Sequence, residues 1–220
     1  MLHRHSGLEL GSGNGFLGVV LVAAVAVAQA NKNDRMVAAA ASDSTNDFES
    51  SSSVDSSVWP GIEVVVTDTA EHLPLMRETI KSNLQRILPQ ILQNSSSSNN
   101  NFSSNDIEKI ARVEEYLWGE DYDFGESNSN SSSFDLIIGS DVAYRDHLHD
   151  PLIAALEEFC VPNHTIALIG VTMNDTKPIF FQKLTKANFV YEKLADHLLG
   201  DDFANSSRQF GIFCISKLTK

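Results

Sequence analysis

Apolar residues follow two different periods along the chain, and the two alternate. Leu73, Met76, Ile80, Leu84 and Ile87 recur every three or four positions, which predicts a helix over 71–88. Leu152, Leu156 and Phe159 repeat the pattern within 147–160, and 15–30 and 177–188 also read as helices. Between these stretches lie short, nearly continuous apolar runs. Ile62-Glu63-Val64-Val65-Val66 and Phe134-Asp135-Leu136-Ile137-Ile138 have the composition of strands covered on both faces. Further strands are predicted at 8–10, 110–116, 165–171, 189–194 and 209–216. Repeated β-α-β units imply an α/β, Rossmann-like, doubly wound and mostly parallel sheet of seven strands, with its ligand at the strands' C-terminal ends. No helix-length segment separates the last two strands, since 197–207 reads as a loop, so an antiparallel pair is expected at one edge.

Three segments break the alternation. Residues 31–60, 94–105 and 126–133 are low in complexity and rich in Ser and Asn. They carry too little apolar surface to offset the entropy of ordering, so they are expected as mobile insertions in a single domain over 1–220. At 42% hydrophobic, the 220 residues can bury a substantial core. The net charge of −13 argues against nucleic acid as a partner, because phosphate contact needs a basic face. It suits a cationic protein target, although ordinary solubility explains it equally.

Cys160 and Cys214 form neither a disulfide framework nor a metal cluster, and read as buried thiols in a reducing compartment, the cytoplasm or the nucleus. His3, His5, His147 and His149 have no acidic or cysteine partner at ligand spacing, so they are expected as surface histidines and no metal is expected. One rival concerns the N-terminus. Arg4, the apolar run 16–28 and Ala28-Gln29-Ala30 resemble a secretory signal, and several Asn-x-Ser/Thr sequons accompany them. The run is too short to span a membrane, Glu9 is unusual ahead of such a segment, and a buried helix is the better reading.

The chemistry begins at Glu9-Leu10-Gly11-Ser12-Gly13-Asn14-Gly15, three alternating glycines between a short strand and a long helix. Such a loop turns sharply, lets a ligand approach the main chain, and presents helix N–H groups to its polar parts. A nucleotide-type site also needs an acid at the end of the second strand, about 20 residues on. Asp68 ends that strand and falls at a comparable distance once segment 31–60 is set aside. A helix cap is its alternative role.

With Leu117-Trp118-Gly119 after the third strand and Asp135-Leu-Ile-Ile-Gly-Ser-Asp-Val-Ala-Tyr144 through the fourth, the chain resembles methyltransferase family 16. That group belongs to the seven-stranded S-adenosylmethionine-dependent class and contains many protein-lysine methyltransferases. Its acid-x-x-Tyr signature stands here as Asp141-Val142-Ala143-Tyr144. The resemblance implies that Gly11, Ser12, Gly13, Asn14 and Gly15 cradle the methionine portion of S-adenosylmethionine while Glu9 orders the loop and the amino group. It implies ribose binding by Asp68, adenine packing by Trp118 and a pocket-lining backbone at Ser140. Asp141 and Tyr144 would border the opening to the acceptor, a lysine whose ammonium docks on the Asp141 carboxylate and the Tyr144 ring. Each residue has a plainer role too: Trp118 as a core aromatic, Asp141 as a cap, Tyr144 as packing under a loop.

Family members carry a segment before the glycine loop, with a tryptophan-bearing helix. Here eight residues precede Glu9, and His3-Arg4-His5-Ser6 makes a poor start to a central strand, so an N-terminally shortened chain is expected. The functional expectation is a protein-lysine methyltransferase that binds neither nucleic acid nor membrane. The alternatives are a catalytically silent scaffold on the same fold and a secreted glycoprotein whose first 30 residues are removed.

Overall fold

The computed structural model of the chain describes residues 5–28, 62–92, 104–120, 134–199 and 209–219. Segments 31–60 and 126–133, and 94–103 of the second insertion, lie outside the described residues. Seven strands form one sheet: β1 (His5–Leu10), β2 (Ile62–Asp68), β3 (Ala111–Glu115), β4 (Leu136–Ser140), β5 (Ile166–Thr172), β6 (Phe189–Lys193) and β7 (Phe210–Lys217). Their spatial order is β3-β2-β1-β4-β5-β7-β6. Pairing is parallel from β3 through β5, and β7 runs antiparallel to both β5 and β6. Among the described residues the β6–β7 connection holds only a short 3-10 turn, Asp196–Leu198, and the expected antiparallel edge pair is present.

The helices are α1 (16–28), α2 (Leu73–Leu92), α3 (Ser104–Ile110), α4 (Asp146–Phe159) and α5 (Pro178–Lys186). The strand period of two sorts β2 between two cores. Val65 joins Leu8, Leu10, Ile137 and Ile169 against Leu156 and Phe159 of α4 and Phe180 of α5. Val64 and Val66 point the other way, onto Val19, Val22 and Ala26 of α1 and Met76, Ile80 and Leu84 of α2. Helix α1 is therefore a core element, as its apolar run suggested.

Four expectations need correction. Helix α3 was not foreseen and takes in 104–105 of the second insertion; among its described side chains Ile107 and Ile110 anchor it, a single turn of apolar spacing. His5 and Ser6 begin a central strand despite their polarity. The Asp135 carboxylate accepts the Ser6 amide at 2.8 Å, and the Asp135 amide donates to the Ser6 carbonyl at 3.0 Å. His149 is fully buried, because its position in α4 shares the inward face with Leu152, Ile153 and Leu156. Cys160 is buried as expected, whereas Cys214, on the less covered face of β7, is only half-buried.

Candidate functional site at the switch point of the sheet

Strands β1 and β4 are neighbours, but the chain leaves β1 for α1 on one face and β4 for α4 on the other. The crevice between such diverging connections is where doubly wound sheets bind ligands. Gly11, Gly13 and Gly15 all have positive φ, between 61° and 79°. Gly11 has a steric need besides: a Cβ there would stand 2.8 Å from Cζ2 of Trp118 and 3.0 Å from Cγ1 of Val142. The loop is tied down by Ser12 N–H donating to the Thr67 carbonyl at 3.0 Å, and Asn14 Oδ1 accepts the Phe16 amide at the start of α1 at 3.1 Å.

Glu9 is buried beneath this loop. Burial pushes its carboxyl up to about 7; the nearby Ser12 hydroxyl and Gly18 amide oppose the rise, and the Asp68 charge adds to it. Neither Glu9 Oε2 nor Ser12 Oγ completes a hydrogen bond of full geometry among the described residues, so both buried atoms keep capacity for a ligand under the glycine loop. Asp68 is engaged more fully. Its Oδ2 accepts the Gly13 amide at 2.6 Å, while Oδ1 accepts the Thr69 amide at 2.7 Å and pairs with the His72 ring at 2.8 Å. Burial alone would raise its pKa; the His72, Gly13 and Thr69 hydrogen bonds outweigh that and lower it, while Asp68 in turn raises the pKa of exposed His72.

Trp118 is half-buried, packed on the core under α4 with its ring edge against Gly11. The turn that carries it is held by Tyr116, whose hydroxyl donates to Glu158 of α4 at 2.8 Å. Across the crevice, Asp141 leaves β4 with φ of 56°, uncommon for a residue with a side chain. Its amide donates to the Gly170 carbonyl at 2.9 Å, and its Oδ1 accepts the Thr172 hydroxyl at 3.1 Å. Val142 and Ala143 are buried, whereas Asp141 and Tyr144 are exposed. The Arg145 guanidinium lies 5.3 Å from the Tyr144 ring centroid, so one ring face already holds a cation. A docking role for that ring toward lysine must use its other face.

Beside Ser140 and Asp141 opens an apolar trough of about 510 Å³, lined by Leu17 of α1, Ile138, Leu168, Gly170 and Ile212. The volume suits a small ligand or an inserted side chain. A larger cleft, about 610 Å³, lies between α2, α3 and β3. The structure thus brings Glu9, Gly11–Gly15, Asp68 and Trp118 into one neighbourhood, with Ser140 and Asp141 on its far bank and Tyr144 further along the turn. His72, Thr172 and Glu158 were not anticipated from sequence. The Asp-x-x-x-His spacing of Asp68 and His72 was a readable signal; Thr172 and Glu158 meet their partners only through the tertiary fold.

A family model described as lysine methyltransferase, methyltransferase family 16, matches residues 52–187, more than half the chain. The chain belongs to that family. The match takes in Asp68, Trp118 and Asp141–Tyr144 and starts beyond the glycine loop, a narrower span than the sequence motifs suggested. Among solved structures, a TehB-like SAM-dependent methyltransferase from Corynebacterium glutamicum aligns with 99% of this chain and 82% of its own, at 14% identity and TM-score 0.52. The methyltransferase domain of bacterial CtHen1 aligns over 99% of this chain and 92% of its own, at 10% identity and TM-score 0.50. The fold of this family 16 chain is therefore that of S-adenosylmethionine-dependent methyltransferases. The residues present fit that cofactor. Among the described residues, buried Glu9 Oε2 and Ser12 Oγ have no partner and a Cβ on Gly13 would meet nothing within 4 Å.

No group of three or more metal-ligating side chains occurs among the described residues. Nor is any described helix long and apolar enough to cross a membrane.

Proposed function

We propose that the chain is an S-adenosylmethionine-dependent methyltransferase whose acceptor is a protein lysine. One observation carries the reading: a glycine loop over two buried polar atoms without partners among the described residues faces an exposed carboxylate and an apolar trough across the switch point. Glu9 and Ser12 hold the cofactor's polar end, the remaining acceptor capacity of Asp68 takes the ribose, and Trp118 walls the adenine side. S-adenosylmethionine, when bound, supplies a methyl group made electrophilic by its sulfonium. Asp141 receives the acceptor's ammonium by charge and hydrogen bonding, its backbone held in register by Gly170. The apolar trough beside it disfavours the charged amine, so the ammonium releases its proton to solvent before entering and the nitrogen presented for in-line attack is neutral. Tyr144 with Arg145 forms the outer lip. A reducing compartment, cytoplasm or nucleus, suits free Cys160 and Cys214, and the charge of −13 suits a basic protein partner rather than nucleic acid.

A second reading, a silent scaffold, draws on Asp68, whose carboxylate is already served by Gly13, Thr69 and His72. The secreted reading finds no support in α1, because removing it would strip Val19, Val22 and Ala26 from the core. Incubation with labelled S-adenosylmethionine and a protein extract, followed by mass spectrometry of labelled bands, separates the remaining two. Methyl label on lysine, lost with Asp141→Ala, is expected. Label on another side chain refutes the lysine acceptor, and no label at all favours the scaffold.

A further inference from the structure

We propose that His149, which no motif of the family reading uses, is the positioning residue of the acceptor-side turn. The inference rests on the lysine methyltransferase reading for its kinetic consequence, though not for its structural one. The turn from Asp141 to Arg145 is irregular, and Ala143 within it is fully buried. A buried carbonyl needs a donor. No backbone amide among the described residues takes that place at Ala143; the donor is Nε2 of His149, 3.0 Å away and six residues later in α4. A carbonyl can only accept, so the geometry requires the tautomer with its proton on Nε2. Nδ1 is then a bare acceptor, and it is buried with no partner among the described residues.

The arrangement pairs one buried group and leaves another: the Ala143 carbonyl gains its donor, while Nδ1 has none among the described residues, at an inward position whose neighbours Leu152, Ile153 and Leu156 are all apolar. The ring is clamped from the far side by Phe180 of α5, with centroids 5.2 Å apart, so Nε2 points along a fixed direction. What the hydrogen bond gains is orientation. Asp141 is held on one side of the turn by Gly170 and Thr172, and the Lys177–Asp146 pair, at 2.6 Å, ties the start of α4 to the start of α5. His149 fixes the peptide plane between these ties, which sets the direction in which Tyr144 leaves the turn.

Three variants decide the matter. His149→Leu keeps the volume and removes the donor. His149→Gln places an amide NH₂ near the position of Nε2, whereas His149→Asn reaches only as far as Nδ1 and leaves Ala143 unpaired. With the lysine acceptor, kcat/KM is expected to fall about tenfold in the Leu and Asn variants and to recover in Gln, with S-adenosylmethionine Kd unchanged within about twofold. Amide hydrogen exchange over 141–146 is expected to quicken in Leu and Asn and to stay near wild type in Gln. Leu and wild type alike in exchange would overturn the proposal, as would Gln behaving like Asn. If the wild-type protein methylates no lysine, the functional reading fails by itself, and the exchange ranking still tests the role of His149.

Discussion

Replacing Glu9 with Gln isolates the energetic strain stored under the glycine loop. The carboxyl is buried, its Oε2 has no partner among the described residues, and its pKa rises from the ordinary 4.5 to about 7, chiefly through desolvation. The folded protein therefore holds this proton more tightly than the unfolded chain does. Between pH 4.5 and about 7, the native side chain retains a proton that the unfolded one has lost, so stability declines as pH rises through that window and levels off above it. The gap corresponds to about 3 kcal/mol at pH 8. Glu9→Gln keeps the shape and cannot ionise. Urea unfolding of both proteins at half-unit steps from pH 4.5 to 8.5 should show near-equal stability at the acidic end, with the variant ahead by up to about 3 kcal/mol at the alkaline end. The same variant should bind S-adenosylmethionine more weakly, because the orphaned oxygen is assigned to the ligand. A stability difference flat across this pH range would refute the burial argument. A less stable variant at pH 8 would reverse its sign.

The remaining predictions concern packing and access. Gly18→Ala places a Cβ 2.6 Å from Cγ2 of Val66 and 2.8 Å from Glu9 Oε2, so α1 must move off the sheet; thermal or urea unfolding should show a loss of about 1–3 kcal/mol. Gly170→Leu fills the trough from its floor, where a Cβ would meet Ser140 Oγ at an ordinary 3.5 Å. The protein should remain folded and bind S-adenosylmethionine normally, while acceptor kcat/KM falls on the order of tenfold; unchanged acceptor kinetics would remove the trough from the acceptor's path.

Much of the fold could be read from local pattern because each strand and each longer helix carries its own period. Val64, Val65 and Val66 announce a strand with two covered faces, and the missing helix between β6 and β7 announces the antiparallel pair. The misses share a cause: their stabilising partners are distant in sequence. Helix α3 holds on through Ile107 and Ile110 only because α2 and β2 are there to receive them. Ser6 gains its place in the strand from Asp135, 129 residues away, and His5 pairs with Ile62 of β2. At the site, residue types and spacing named Glu9, the glycines, Asp68, Trp118 and Asp141, whereas the state of each depended on neighbours. Asp68 is held by Gly13 and His72, and Tyr144 by the Arg145 guanidinium. His149 was misplaced because a polar residue at an inward helix position reads as surface until Ala143 and Phe180 are seen around it.

The crevice between β1 and β4 is the proposed seat of S-adenosylmethionine. Isothermal titration of the purified chain with S-adenosylmethionine, repeated with Glu9→Gln and with Gly13→Val, addresses it directly. Saturable binding of one equivalent to the wild type, weakened in both variants, is the predicted result. No heat of binding at high micromolar protein, or binding indifferent to both substitutions, would contradict it.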